Sequence, residues 1–91
     1  MSETAEVVMY GTLLCPYCRA ARDLLDERGV AYDEIRVDLE PARRDEMQAR
    51  GGGHTVPQIW IGATHVGGYT DMLALQRQGR LDELLQPGAS R

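Results

Sequence analysis

Lysine, asparagine and phenylalanine are missing from this 91-residue sequence, and cysteine occurs only twice. The three missing types share A/T-rich codons, which points to GC-rich coding rather than to a physical adaptation. Their absence still has a physical consequence, because every cationic site must be built from arginine. Long apolar runs are lacking too: the longest spans a few residues, far short of the ~20 that a membrane-crossing helix needs. There is no basic block, and the net charge is −4. Partners such as DNA, RNA or an anionic membrane are therefore not expected. The first six residues, Met-Ser-Glu-Thr-Ala-Glu, are acidic where a secretory leader is basic, so a cytoplasmic location is expected. In that reducing compartment two thiols three residues apart are no structural framework; they are catalytic or they bind something. Metal is not expected, since there is no second Cys-x-x-Cys and His54 and His65 do not match structural zinc spacing.

The length suits one domain, close to the lower limit at which an apolar core suffices. A single monomeric domain is expected over 1–91, with a short acidic start and a frayed tail at 87–91. With 26% charged residues and dispersed apolar positions, neither a disordered nor a fibrous chain fits. Val7-Val8-Met9-Tyr10 reads as a buried strand stopped at Gly11. Cys15 stands where an N-cap belongs, Pro16 suits the first helical position, and Tyr17, Ala21, Leu24 and Leu25 mark one helical face ended by Gly29. Residues 31–37 alternate as a second strand, giving a β-α-β unit with a right-handed crossover. Pro41 opens a polar helix to about Arg50, broken by Gly51-Gly52-Gly53. A hairpin follows, with Gln58-Ile-Trp-Ile61 and His65-Val66 separated by Gly62-Ala-Thr. A helix from Thr70 to about Gln78, with Thr70 or Asp71 near its N-terminus, and a last helical turn at Leu81, Leu84 and Leu85 complete the chain. The order β-α-β-α-β-β-α implies an α/β fold, a four-stranded mixed sheet flanked by helices, which is the thioredoxin-like arrangement.

Cys15-Pro16-Tyr17-Cys18 is the most informative segment. Unsatisfied N–H groups and the macrodipole at a helix N-terminus favour a thiolate, lowering a cysteine pKa from ~8.5 into the range ~3.5–7.5. Cys15 precedes the helix and gains this stabilisation; Cys18, one turn inside, is expected to be buried and less ionised. The pair thus divides into nucleophile and resolving thiol.

From about Val7 to Leu85 the sequence resembles the glutaredoxin family, and it looks most similar to short bacterial dithiol members. The motifs that carry the resemblance are Cys15-Pro-Tyr-Cys18, the Thr-Val-Pro within His54-Thr-Val-Pro57, and Gly67-Gly-Tyr-Thr-Asp71. The resemblance implies a glutathione-dependent thiol-disulfide oxidoreductase that reduces protein–glutathione mixed disulfides and protein disulfides. Glutathione is then the co-substrate, no cofactor is tightly bound, and the partners are glutathionylated or disulfide-containing proteins.

The resemblance also implies residue roles. A cis Pro57 turns the Val56 backbone, beside Thr55, toward Cys15, where an extended γ-Glu-Cys-Gly peptide can pair as a short added strand; without the resemblance, Thr-Val-Pro reads equally as a turn before a strand. Gly68 and Thr70 open a helix whose N-terminus attracts the γ-glutamyl carboxylate, and Asp71 faces the ammonium or caps the helix, or both. Tyr17 walls the groove, and Tyr69 can do the same. Thr12 departs from the family, which usually has lysine there to clamp the glycine carboxylate. Arg43 or Arg44 is the alternative clamp, and for one of the two a solvated helix face is an equal alternative. Arg19 adds potential near Cys15 or is simply exposed. Trp60 and His65 are assigned to the hairpin's packing. Two rival readings are a thioredoxin-like reductant fed by a flavin reductase, against which the Gly67–Asp71 motif argues, and an iron-sulfur carrier, which the stiffening Pro16 disfavours.

Overall fold

The computed structural model describes residues 5–86, so the expected frayed tail at 87–91 lies outside the described residues. Strand β1 (Val7–Gly11) leads to helix α1 (Pro16–Glu27), strand β2 (Asp33–Arg36) and helix α2 (Ala42–Ala49). The hairpin β3 (Gln58–Ile61) and β4 (Thr64–Gly67) then precedes α3 (Tyr69–Arg77) and α4 (Leu81–Leu85). β1 runs parallel to β2 and antiparallel to β3, and β4 pairs antiparallel with β3, giving the order β2-β1-β3-β4. This is the four-stranded mixed sheet expected from the sequence.

Strand alternation decides which helix covers which face. Val7 and Met9 of β1 and Ile59 and Ile61 of β3 share one face, where they pack with Ala21, Leu24 and Leu25 of α1, Met72 of α3, and Leu81 and Leu85 of α4. Tyr10 and Trp60 point the other way and form a smaller cluster with Val37 and with Met47 of α2. There the Tyr10 and Trp60 rings meet edge to face at 5.4 Å, and the Arg50 guanidinium lies 4.4 Å from the Trp60 ring centre. Burial at Cys18, Ala21, Leu24 and Leu25 follows the helical spacing of the α1 sequence.

Three boundaries differ from the expectation, each for a local reason. β2 covers Asp33–Arg36 rather than 31–37, because the chain turns after Arg36, where the Leu39 and Glu40 N–H groups donate to Arg36 O at 3.1 and 3.0 Å. β4 starts at Thr64, which shortens the hairpin connection to Gly62 and Ala63; Gly62 has φ +60°, suited to a tight hairpin. α3 starts at Tyr69 with Gly68 as N-cap, since the Asp71 carboxylate accepts the Gly68 N–H at 2.9 Å.

Gly52, which breaks the polar helix, also makes room for the small cluster. A Cβ there would lie 2.6 Å from Trp60 Cη2 and 3.1 Å from Met47 O. Gly52→Ala is expected to destabilise the protein by about 1–3 kcal/mol through overpacking, read as a lower urea midpoint at unchanged slope. An unchanged midpoint would mean that Trp60 moves aside freely.

Candidate active site

β1 delivers the chain to a short loop, and Cys15 caps α1 with extended backbone (φ −77°, ψ 120°) before Pro16. Of the first N–H groups of the helix, Pro16 has none and that of Arg19 donates to Cys15 O at 3.1 Å. The N–H groups of Tyr17 and Cys18 are left for the Cys15 sulfur. Partial burial pushes the Cys15 thiol up, but the Cys18 N–H, the Cys18 thiol, the Tyr17 N–H and the Arg22 charge outweigh it and leave the pKa below the ordinary thiol value. As a thiol, Cys15 Sγ donates to Val56 O at 3.8 Å.

Cys18 is fully buried and accepts the Thr12 N–H at 3.5 Å. Burial is the largest influence on it and, together with the neighbouring Cys15, pushes its thiol up to about 11 against the opposing Thr12 N–H and Arg22. The two thiols are therefore shifted in opposite directions, Cys15 down and Cys18 up, in the sense expected from their places on the helix. Gly11 allows this packing, since a Cβ there would sit 3.2 Å from Cys18 Sγ and 3.3 Å from Glu34 Oε2.

Arg22 is the residue that sequence reasoning missed. Its Nη2 donates to Thr12 O at 3.0 Å, and its Nε lies 3.5 Å from Glu34 Oε1, in a pair whose side chains are only 18% and 20% exposed. Arg19, the arginine expected near Cys15, is exposed on α1. The available signal was the spacing, because Arg22 stands four residues after Cys18 and so on the same helical side. In a chain without lysine, a charge there has to find a carboxylate on a neighbouring strand, and Glu34 of β2 is that carboxylate.

A groove of about 480 Å³ opens beside the dithiol. It brings together Tyr17, Thr55, Val56, Pro57, Gly68, Thr70 and Asp71, with the Val56–Pro57 bond cis. Thr12, Arg43 and Arg44 do not line it. Thr12 turns its backbone to Cys18 and Arg22. Arg43 pairs with Glu46 at 2.9 Å and with Glu40 at 3.7 Å, whereas Arg44 donates to His54 O at 2.9 Å, next to the Thr55–Pro57 segment.

Gln58 and His65 also line the groove, joined in a chain in which Gln58 Nε2 donates to Thr55 Oγ1 at 3.1 Å and Gln58 Oε1 meets His65 Nε2 at 2.7 Å. His65 stacks on Trp60 at 4.4 Å as well, in keeping with its assignment to hairpin packing. The signal for Gln58 was a polar residue in an otherwise apolar strand, since a buried amide needs partners. Tyr69 borders the groove, its ring 6.4 Å from that of Tyr17. Gly67, at φ +109°, lies under the Asp71 carboxylate, where any side chain would collide with it. Among the described residues no group of three or more His, Cys, Asp or Glu side chains is placed to hold a metal ion, and no helix is long and apolar enough to cross a membrane.

The model of the glutaredoxin family matches residues 7–66. The chain is 53% identical over 79 residues to a glutaredoxin of Pseudomonas aeruginosa, covering 87% of this chain and 94% of that one. It is 46% identical over 82 residues to glutaredoxin 3 of Escherichia coli, covering 90% and 99%. Among solved structures it is similar to the glutaredoxin of Brucella melitensis, with a TM-score of 0.81, 45% identity and coverage of 93% and 92%. It is also similar to a buckwheat glutaredoxin–glutathione complex, with a TM-score of 0.82, 30% identity and coverage of 89% and 76%.

Lowering the pKa of an acid keeps its charged form at more acidic pH, so the Cys15 thiolate persists where an ordinary thiol is protonated and disappears as pH falls through its own pKa. Iodoacetamide should therefore modify Cys15 at a lower pH than an ordinary thiol and leave Cys18 intact until pH approaches about 11. Arg22→Gln should slow Cys15 alkylation several-fold at a pH below the ordinary thiol pKa, and the Arg22→Gln, Glu34→Gln double variant should show the same loss without a buried, unpaired carboxylate. Equal reactivity of the two thiols would contradict the assignment, and an unchanged rate in both variants would remove Arg22 from it.

Proposed function

Because this chain belongs to the glutaredoxin family and so has thiol-disulfide oxidoreductase activity, we propose that it reduces protein–glutathione mixed disulfides and protein disulfides with glutathione as electron donor. Cys15 thiolate attacks the glutathione sulfur of the mixed disulfide. The protein sulfur leaves as a thiolate that takes a proton from water, and Cys15 holds the glutathionyl group. A second glutathione thiolate attacks that group, forming glutathione disulfide and restoring Cys15. With a protein disulfide, Cys15 forms the mixed disulfide, and Cys18 loses its proton and displaces the substrate. Two glutathiones then reduce the resulting Cys15–Cys18 disulfide. Glutaredoxin potentials of about −200 to −230 mV lie near the glutathione pool, so both directions are accessible.

The observation that carries this reading is the position of Cys15 Sγ, 3.8 Å from Val56 O, beside a groove bounded by the Thr55–Pro57 backbone and the start of α3. The buckwheat relative's complex with glutathione supports it. In this reading Val56 pairs with the extended tripeptide, flanked by Thr55 and Pro57, while Tyr17 forms a wall. The backbone at Gly68 and Thr70 receives the γ-glutamyl carboxylate, and Asp71 faces its ammonium while also capping α3. For the glycine carboxylate, Arg44 is favoured over Arg43, whose charge is already paired, with Thr12 offering no cation. In this reading the protein works in the cytoplasm as a monomer, with glutathione as co-substrate and no tightly bound cofactor.

Cys15→Ser is expected to abolish all turnover. Cys18→Ser should keep deglutathionylation of a peptide and lose most protein-disulfide reduction; comparable losses in both variants with the glutathionylated peptide would refute these roles. Asp71→Asn retains a capping side chain but removes the charge, and should weaken glutathione recognition by about 1–3 kcal/mol with little change in thermal stability. An unchanged dependence of rate on glutathione concentration would reduce Asp71 to a cap.

A further inference from the structure

Large hydrophobic side chains stand exposed at four positions among the described residues: Leu13 at 60%, Leu14 at 89%, Tyr17 at 60% and Leu39 at 69%. Leu13 and Leu14 immediately precede Cys15, and Tyr17 follows Pro16; Leu39 comes directly after Asp38, whose Oδ2 accepts the Leu13 N–H at 3.3 Å and so ties its segment to the loop before Cys15. Tyr17 belongs to the groove, and the three leucines do not line it. The nucleophilic sulfur therefore has a polar, backbone-rich groove and, next to it, a separate leucine surface.

Charge does not govern this surface. Asp38 is held by Arg36 through bonds of 2.8 and 2.6 Å, and Glu40 faces Arg43 at 3.7 Å, so the acidic groups nearest the leucines are paired. The Asp38 link also joins the loop before Cys15 to the turn after β2, so that the leucines are presented by two segments tied together. Exposed apolar surface concentrated at one site marks contact with a partner rather than incidental exposure. A thiolate attacks along the S–S axis, so a substrate polypeptide has to approach over the surroundings of Cys15 that glutathione leaves uncovered.

We propose that Leu13, Leu14 and Leu39 form a docking surface for the polypeptide half of the mixed disulfide, selecting substrates whose modified cysteine is flanked by large aliphatic residues. This rests on the glutathione reading above. Glutathione in the groove gives the reaction common to all substrates, and the leucine surface distinguishes among the chains attached to it.

The test uses the wild-type protein, single Leu→Ser variants and a Leu13→Ser, Leu14→Ser, Leu39→Ser triple variant. Three probes are compared: a glutathionylated pentapeptide with leucine on both sides of its cysteine, the same peptide with serine there, and the mixed disulfide of glutathione and 2-mercaptoethanol. The wild-type protein should favour the leucine peptide by roughly tenfold in kcat/KM, as burial of one or two leucine side chains allows. The triple variant should bring the ratio near one with turnover of the mercaptoethanol probe unchanged, and the single variants should each remove part of it. A wild-type ratio near one, or a ratio retained in the triple variant, overturns the proposal. If the wild-type protein fails to turn over the mercaptoethanol probe, the glutathione reading falls, and the docking role falls with it.

Discussion

The interaction on which the rest of this structure depends is that between the Cys15 sulfur and the open end of α1. A helix exposes its first N–H groups unavoidably. Here Pro16 removes one, and the Arg19 N–H is taken by the Cys15 carbonyl. The Cys18 N–H, the Cys18 thiol, the Tyr17 N–H and the Arg22 charge favour the Cys15 thiolate and outweigh the cost of partial burial. The same helix carries Cys18 one turn inward, against Gly11, where burial keeps it protonated. One helix start thus produces two unlike thiols from one residue type.

Holding that helix start in place falls to the sheet. β1 lies between β2 and β3, so the loop leaving it is fixed on both sides. Its carbonyl at Gly11 receives the Val37 N–H, and its carbonyl at Thr12 receives Arg22. Arg22 is itself held by Glu34 of β2. Removing either member would leave a largely buried charge without its partner, which is costly even where the intact pair adds little net stability. The hairpin side supplies the groove, through the Thr55–Pro57 segment, Gln58 with His65, and the glycines that let the chain reach α3.

Much of this was legible in the sequence wherever one local rule decided the outcome. The apolar runs Val7–Tyr10 and Gln58–Ile61 marked the two central strands, and Pro16 after Cys15 placed the cap. Glycines at 51–53 and 67–68 marked the loops that form the groove. What stayed hidden depended on distant partners. Whether Arg19 or Arg22 serves the thiols is decided by Glu34 across the sheet, and the contrast between Arg43 and Arg44 is decided by Glu40, Glu46 and the His54 carbonyl. Gln58 reads as an interruption of an apolar strand until Thr55 and His65 are seen to satisfy its amide. The leucines before Cys15 and at 39 read as ordinary apolar residues until their exposure is known.

The central claim is that the groove presents glutathione, rather than the attached protein, to Cys15. Its most direct test is intact-mass analysis of the Cys18→Ser protein after a single encounter with a glutathionylated peptide in the absence of free glutathione. The expected result is a gain of one glutathionyl group on Cys15 with release of the reduced peptide. A gain of the peptide mass, with glutathione released instead, would contradict the account.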